Sequence, residues 1–189
     1  MTRKIYCISG LGTDERIIAN LRLDNYQLVH IRCDRPVKGD TIQSYAIRLA
    51  ESIKEENAIL LGVSFGAMLG IEIARHRPLQ KLIVVSSIKL SKELPRWMRV
   101  AGKLKLNQFL PTRSFKLIER MDNRRLGITT EEEIEMARVY RETADRKYLE
   151  WGINEILNWK NNWIPDNTIH IHGENDRMFP IRKIKADYV

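Results

Sequence analysis

Short apolar runs of strand length alternate with helical patterns over the first 87 residues and return near residue 170. A strand that is buried on both faces reads as a continuous apolar run. Five such runs lie at residues 4–9, 27–33, 58–63, 81–86 and 168–172. Strands that alternate with helices indicate a parallel sheet with right-handed crossovers. The pattern therefore predicts an α/β protein with a mostly parallel sheet and flanking helices.

Two helices are predicted before the third run. Thr13 or Asp14 can cap a short helix that continues to about Leu21. Asp40 or Thr41 can cap a second helix with apolar positions at the 3.6-residue period. Those apolar positions are Ile42, Tyr45, Ala46, Leu49 and Ile53.

The pattern changes to helices alone between residues 88 and 165. Three glutamates at residues 131–133 follow Thr129 and Thr130, and they suit the positive end of a helix dipole. Further along, an apolar stripe is formed by Trp151, Ile156, Leu157 and Trp159. We expect residues 1–189 to form a single domain, with residues 88–165 as a helical cap inserted into a core of residues 1–87 and 166–189.

Composition places the chain among globular proteins. It has 189 residues, of which 43% are hydrophobic and 30% charged. No apolar run approaches the roughly 20 residues needed to span a bilayer, and the N-terminal apolar stretch is too short for a signal peptide. The two cysteines, Cys7 and Cys33, fall in strand-like runs and are interpreted as buried, reduced thiols. These features favour a cytoplasmic protein.

The net charge of +8 comes from one segment. Residues 89–125 contain 11 basic and three acidic side chains, so the rest of the chain is neutral overall. The basic residues alternate with apolar ones such as Trp97, Leu104 and Phe109. Such a segment can lie on an anionic membrane or receive an acidic substrate, although a solvated face over a lid is the simpler interpretation. Only the charge argues for nucleic acid, and we expect no nucleic-acid partner.

The third apolar run ends in a Gly-x-Ser-x-Gly motif, Gly62-Val63-Ser64-Phe65-Gly66, and passes directly into a helical pattern. Glycines remove the side chains that would collide where a backbone turns sharply from strand to helix. The hydroxyl of Ser64 would then stand at the apex, above the N–H groups of the helix, as in a nucleophile elbow. The alternative is an accidental motif in which Ser64 only caps a helix.

On these residues the sequence resembles the α/β-hydrolases, and the likeness extends from the first predicted strand to residue 189. The family's chain order is serine, acid, histidine. Residues 171–180 resemble the turn that carries the acid, with Asp176 at the matching position and Glu174 as its nearest competitor. The resemblance also implies an oxyanion hole formed by the backbone N–H groups of Leu11 and Phe65. Here Ser9 replaces the histidine that the family often has before Gly10.

The catalytic histidine has no obvious candidate. The sequence has four histidines, His30, His76, His170 and His172. None occupies the family's position, a loop after one more strand beyond the acid. Residues 186–189 resemble the opening of that strand, so we expect a C-terminal strand, a histidine loop and a closing helix to be missing. Among the four, His172 is the better substitute.

The resemblance implies a serine hydrolase that cleaves a carboxylic ester or thioester of a small acyl substrate through an acyl-Ser64 intermediate. It implies no cofactor and no metal. If the chain truly ends at Val189, the alternative is a hydrolase-fold protein that binds without catalysis. A nucleotide-binding domain is a third interpretation, because Gly10-Leu11-Gly12 is followed about 20 residues later by Asp34. Glu15 at the third glycine position argues against it.

Overall fold

Five parallel strands form one sheet in a computed structural model, which describes residues 2–105, 123 and 127–189. Their order across the sheet is β2-β1-β3-β4-β5. The strands are β1 (Arg3–Ile8), β2 (Tyr26–His30), β3 (Ala58–Val63), β4 (Leu79–Val85) and β5 (Thr168–Ile171). The predicted α/β architecture with a mostly parallel sheet is therefore confirmed.

Helices flank the strands, and the regular structure in the described parts of residues 88–165 is helical. They are α1 (Ile42–Ala50), α2 (Phe65–Ala74), α3 (Arg96–Lys103), α4 (Glu131–Thr143) and α5 (Arg146–Asn158). Short 3-10 helices lie at Glu15–Ile18, Ser91–Glu93 and Ile181–Lys183. The predicted cap Thr41 accepts a hydrogen bond from the N–H of Ser44, and Thr130, the N-cap of α4, accepts one from the N–H of Glu133, each within a capping box. No helix among the described residues is both long and apolar enough to cross a membrane.

The strand register brings the carboxyl ends of four strands to one edge of the sheet. Gly62 pairs with Ile8 of β1, and Val85 of β4 pairs with both Val63 and Ile171. Residues that directly follow β1, β3, β4 and β5 therefore lie at the same level. This edge is where ligands bind in open α/β sheets.

The core is formed by the sheet and by α2, which is buried along nearly its whole length. Residues 65–73 of α2 are all buried, and they pack against β1, β3 and β4. Gly70 allows α2 to approach β4 closely, because a methyl group built there would lie 2.9 Å from Leu82 Cδ1. A helix that is apolar on all sides is typical of a position enclosed by other elements. Burying α2 in this way holds its N-terminus rigidly at the carboxyl edge.

Two predicted elements are shorter in the structure. The helix expected to reach Leu21 is only the 3-10 turn Glu15–Ile18, which buries no residue and so lacks the packing that would sustain further turns. The second strand ends at His30 rather than residue 33, because its neighbour β1 stops at Ile8. Similarly, Ile53 is buried beyond the end of α1 rather than within it.

Helix α5 joins the helical segment to the sheet domain. Its N-cap Asp145 is paired with Arg35, and Trp151 Nε1 donates a hydrogen bond of 2.9 Å to Asp40 O. Glu155 accepts a hydrogen bond of 2.9 Å from the first N–H of α1, at Ile42. Helix α3 in turn packs on α5. Several residues of the basic segment lie outside the described residues, namely Leu106, Phe109, Leu110, Arg113, Lys116, Glu119, Arg120, Asp122, Arg124 and Arg125.

Candidate active site

Ser64 lies at a sharp turn between β3 and α2 and has a backbone conformation that is rare for a non-glycine residue. Its φ is 52° and its ψ is −118°. A strained backbone of this kind costs about 1–3 kcal/mol and persists only where the surroundings hold it. Here Ser64 N–H donates to Val85 O at 2.9 Å, and Ser87 Oγ donates to Ser64 O at 2.7 Å. The half-buried hydroxyl stands at the carboxyl edge, as the sequence motif predicts.

The glycines of the motif allow this turn because backbone atoms of neighbouring segments lie where their side chains would be. A methyl group built at Gly62 would lie 2.5 Å from both the nitrogen and the Cα of Ala67. Any side chain at Gly62 would therefore collide with the first turn of α2. The spacing of Gly62 and Ser64 in the sequence follows directly from this close approach.

Two backbone N–H groups are available beside Ser64. Thr13 N–H donates to Gly10 O at 3.2 Å, and with Gly12 at φ +78° this forms a turn whose second residue is Leu11. No described residue accepts a hydrogen bond from Leu11 N–H. Phe65 is the first residue of α2, so its N–H has no acceptor within the helix.

The loop that carries Leu11 lies directly against the elbow. A methyl group built at Gly10 would lie 3.5 Å from Ser64 Cβ and 3.6 Å from Val63 O. The structure therefore brings the loop after β1 and the start of α2 to the nucleophile candidate, as an oxyanion hole requires.

Ser9 and His30 hold the base of this loop, a pairing that sequence reasoning missed. Ser9 is 3% exposed, and its Oγ donates to Thr13 O at 2.9 Å. Since that hydroxyl proton is used, Ser9 Oγ accepts from His30 Nε2 at 3.2 Å. His30 lies on β2, 21 residues away, so only the pairing of β1 with β2 could reveal the contact. Burial lowers the pKa of His30, which favours its neutral form.

Asp176 lies in the loop after β5, two strand positions from β3. Its Oδ1 accepts hydrogen bonds of 2.8 Å from the N–H groups of Met178 and Phe179, and its Oδ2 is 3.5 Å from His172 Nε2. Since neighbouring strands are about 4.8 Å apart, the ends of β3 and β5 are separated by roughly 10 Å. That gap is of the size an imidazole would bridge between the Ser64 hydroxyl and the Asp176 carboxylate.

His170 and His172 form a buried pair beneath the loop that carries Asp176. His172 Nε2 donates to Phe179 O at 2.8 Å, so its Nδ1 is the acceptor for His170 Nε2 at 3.2 Å. This leaves His170 Nδ1 buried without a hydrogen-bond partner among the described residues. Both ring nitrogens of His172 are therefore used, one by His170 of β5 and one by Phe179 of the loop, and His172 supports the loop instead of facing Ser64.

The two remaining histidines are also committed elsewhere. His30 points to Ser9 and Glu15, and its strand β2 is separated from β3 by β1. His76 lies two residues beyond the C-terminus of α2, about 18 Å from Ser64 at the helical rise of 1.5 Å per residue. The structure thus places no described histidine within reach of the Ser64 hydroxyl.

Burial of His170 predicts a loss of stability in mild acid. Burial, with the nearby positive charges of Lys89 and of His172 when protonated, lowers the pKa of His170 from 6.5 to about 4, against a smaller opposing effect of Asp187. Residue His170 binds a proton below about pH 6.5 in the unfolded chain but only below about pH 4 in the folded chain. The free energy of unfolding is therefore expected to fall by about 3 kcal/mol between these pH values.

Urea unfolding at several pH values would measure this dependence. In His170→Gln we expect a smaller change in the free energy of unfolding between pH 6.5 and pH 4, whatever the substitution does to stability at pH 7. His76→Gln removes an exposed histidine and should leave the slope unchanged. Equal slopes in wild type and His170→Gln would contradict the assignment.

Aromatic side chains of the helical segment cover the elbow from one side. Phe65 makes edge contacts with Tyr148 and Trp151 of α5, at centroid distances of 6.4 and 5.8 Å. The Trp151 ring also contacts that of Tyr45 at a centroid distance of 4.6 Å, with the two planes tilted by 45°. The stripe predicted from the sequence includes Trp151 but misses Tyr148, which lies three positions earlier on the same helix. Helix α5 therefore lies beside the residue that follows Ser64.

Residue Leu11 contacts the same helix. A methyl group built at Gly152 would lie 2.4 Å from Leu11 Cδ1, so the side chain of Leu11 occupies the space that Gly152 leaves open. The next loop residue, Gly12, is similarly close to Leu149. The loop that offers its N–H to the candidate site is thus fixed between β1 and α5.

Neither cysteine nor any described acidic cluster suggests a different chemistry. Burial raises the pKa of Cys7 to about 11 and also raises that of Cys33, so neither thiol is reactive near neutral pH. Among residues 2–105, 123 and 127–189, no group of three or more histidines, cysteines or carboxylates is arranged to hold a metal ion.

Solved structures of hydrolases resemble this chain closely in fold and weakly in sequence. No family model and no curated protein matches the sequence. An esterase from Thermogutta terrifontis superposes with a TM-score of 0.71 at 15% identity, over 96% of this chain and 75% of that one. A hydrolase from Pseudomonas aeruginosa superposes with a TM-score of 0.74 at 14% identity, over 96% of this chain and 76% of that one. The thioesterase RedJ from Streptomyces coelicolor superposes with a TM-score of 0.63 at 17% identity, over 97% of this chain and 71% of that one.

Proposed function

Because this chain has the α/β-hydrolase fold, we propose that it is a serine hydrolase that cleaves a carboxylic ester or thioester. The observation that carries the proposal is the position of Ser64. Its hydroxyl stands on a strained turn at the carboxyl edge, with the unused N–H groups of Leu11 and Phe65 beside it. A serine that only capped a helix would need neither the strained backbone of Ser64 nor the loop after β1 beside it.

The reaction begins when Ser64 Oγ attacks the carbonyl carbon of the acyl substrate and an imidazole takes its proton. The N–H groups of Leu11 and Phe65 stabilise the negative charge on the carbonyl oxygen, each by about 3 kcal/mol. The tetrahedral intermediate collapses, and the leaving alcohol or thiol receives the proton from the imidazole. Water then attacks the acyl-Ser64 ester with the same base, which returns the serine hydroxyl and releases the acid.

Asp176 is assigned the role of orienting that imidazole and stabilising its protonated form. Two N–H groups already hold one of its oxygens, so the carboxylate is fixed before any substrate binds. The imidazole itself is not one of the four histidines in residues 1–189. In the proposed mechanism, an imidazole group enters the gap of roughly 10 Å between the ends of β3 and β5.

Residues 88–165 are proposed to form the cap over the acyl pocket. Helix α5 supports this assignment because Tyr148 and Trp151 contact Phe65, the residue next to the nucleophile. The structurally similar proteins include an esterase and a thioesterase, and this similarity favours an acyl ester or thioester of a small molecule as the substrate class.

A binding protein without turnover is the second candidate function. The observation in its favour is that His30, His76, His170 and His172 are all committed away from Ser64. Without a base, the serine hydroxyl is a weak nucleophile, and the same pocket would only hold an acyl compound.

A fluorophosphonate probe separates the two functions, because it reacts covalently only with an activated serine. The protein would be incubated with the probe with and without imidazole, digested, and analysed by mass spectrometry. An adduct on the peptide that contains Ser64 is the expected result for a hydrolase. A protein with no adduct on that peptide under either condition would be a binding protein.

A further inference from the structure

A cleft of about 520 Å³ lies between α3 and the segment at residues 183–185, and its charged side chains are almost all cationic. Its positive lining consists of Lys89, Lys92, Arg96, Arg99, Lys183 and Lys185. Glu93 is the one carboxylate among the described residues that line it. Like charges that converge on one recess repel each other unless an anion occupies it.

Glu93 offsets only one of the six positive charges, and backbone hydrogen bonds hold its carboxylate in place. One of its oxygens accepts hydrogen bonds from the N–H groups of Lys89 and Leu90, at 2.6 and 3.0 Å. Within the described residues, no carboxylate pairs with Lys92, Arg96 or Arg99. Among the described lining residues, six cationic side chains therefore face a single carboxylate, and the cleft keeps a net positive charge.

Helix α3 adds to this positive field. It begins at Arg96 after Pro95, which offers no side-chain cap, and its first turn carries no acidic residue. Arg96 and Arg99 are thus placed at the positive end of the helix dipole, which is the unfavourable end for cations. Glutamate or aspartate would make the helix more stable at these positions. Helix α4 has such residues in its first turn, at residues 131–133.

Lys89 gives an independent indication that a ligand belongs here. It is only 8% exposed, and its Nζ donates a hydrogen bond of 2.6 Å to Lys185 O. A carbonyl satisfies one of the three ammonium protons and does not neutralise the charge. Buried ammonium groups are ordinarily paired with an anion, since desolvation of an unpaired charge costs several kcal/mol.

We propose that this cleft binds a phosphorylated small molecule through its phosphate groups. Guanidinium and ammonium groups together suit a phosphate, because arginine binds two of its oxygens at once and lysine adds a point charge. Two or more negative charges on one ligand match the several cations better than a single carboxylate does. The binding site is distinct from Ser64 and does not depend on the proposed hydrolase activity.

Isothermal titration calorimetry with inorganic pyrophosphate tests the site, at about 0.15 M salt to suppress nonspecific attraction. Saturable binding of one pyrophosphate per chain is expected. Arg96→Gln/Arg99→Gln should weaken it by about a hundredfold, because two charge-assisted contacts are lost. Arg22→Gln/Lys38→Gln removes the same charge from exposed positions elsewhere and should change the affinity less than about twofold.

Lys183→Gln/Lys185→Gln probes the opposite wall and replaces the arginine variant if that one fails to fold. It is also expected to weaken pyrophosphate binding, by at least about tenfold. A second arm uses vesicles of phosphatidylglycerol, with phosphatidylcholine vesicles as the reference, to distinguish a lipid headgroup from a free phosphate. Absence of pyrophosphate binding, equal losses in the cleft and control variants, or binding to anionic vesicles alone would each overturn the proposal.

Discussion

Replacing Ser64 by alanine is expected to abolish the imidazole-stimulated hydrolysis of 4-nitrophenyl butyrate by this chain. No described histidine reaches the Ser64 hydroxyl, so imidazole from solution should enter the gap beside Asp176 and serve as the base. The wild-type rate should therefore rise with imidazole concentration above the reaction of imidazole alone. In Ser64→Ala that additional rate should fall by at least about 10³-fold, since the nucleophile is lost and only the oxyanion donors remain.

The control for this experiment is Ser52→Ala, which removes a hydroxyl from an exposed position outside the site. It should retain the full imidazole-dependent rate. The measurement is the initial release of 4-nitrophenol at a series of imidazole concentrations, with the protein-free rate subtracted. If Ser64→Ala keeps the wild-type rate, hydrolysis of this ester does not pass through Ser64 and the proposed mechanism is wrong.

Gly66→Ala is expected to cause the largest loss of folding stability. A methyl group built at Gly66 would lie 2.3 Å from Ile8 O and 2.5 Å from Ser9 O. Both atoms are backbone at the end of β1, which is held by β2 and β3 and cannot retreat cheaply. The free energy of unfolding should fall by about 3 kcal/mol or more, which is the upper end of the range of losses caused by overpacking a core. Helix propensity alone would make Gly66→Ala more stable by about 1 kcal/mol. A loss of stability in this variant would therefore show that the steric clash outweighs helix propensity.

Urea denaturation would measure this loss as a lower midpoint at an unchanged slope. Gly173→Ala is the matched control, because the nearest atom to a methyl group there is Ser86 Oγ at 4.0 Å and the backbone of Gly173 is not in the left-handed region. The control should change the free energy of unfolding by less than about 1 kcal/mol. A Gly66→Ala protein as stable as Gly173→Ala would mean that β1 does not approach α2 as described.

The elbow and the sheet were predictable from the sequence because local patterns encode them. The continuous apolar runs predicted the strands, and the Gly-x-Ser-x-Gly motif predicted the turn at Ser64 that the backbone conformation shows. The fold class is confirmed, and the resemblance to the α/β-hydrolases is confirmed for the fold. The assignments of Ser64, Asp176, Leu11 and Phe65 to catalytic roles remain predictions.

Contacts between distant segments were not predictable in the same way. Ser9 and His30 are 21 residues apart, and Trp151 and Asp40 are 111 residues apart. Each contact depends on strand order and on how a helix packs, and neither leaves a periodic pattern in the sequence. The burial of His170 and the cationic cleft around Lys89 are of the same kind, because they require several loops to meet.

The sequence alone therefore determined the order of strands and helices and the serine turn, since these depend on residue spacing along a continuous piece of chain. Only the tertiary structure decided which side chains meet at the carboxyl edge. It showed that His172 uses both ring nitrogens below the loop of Asp176, whereas the sequence made it the best substitute base. The physical reason is that strand pairing and desolvation act between residues far apart in the chain, where spacing carries no information.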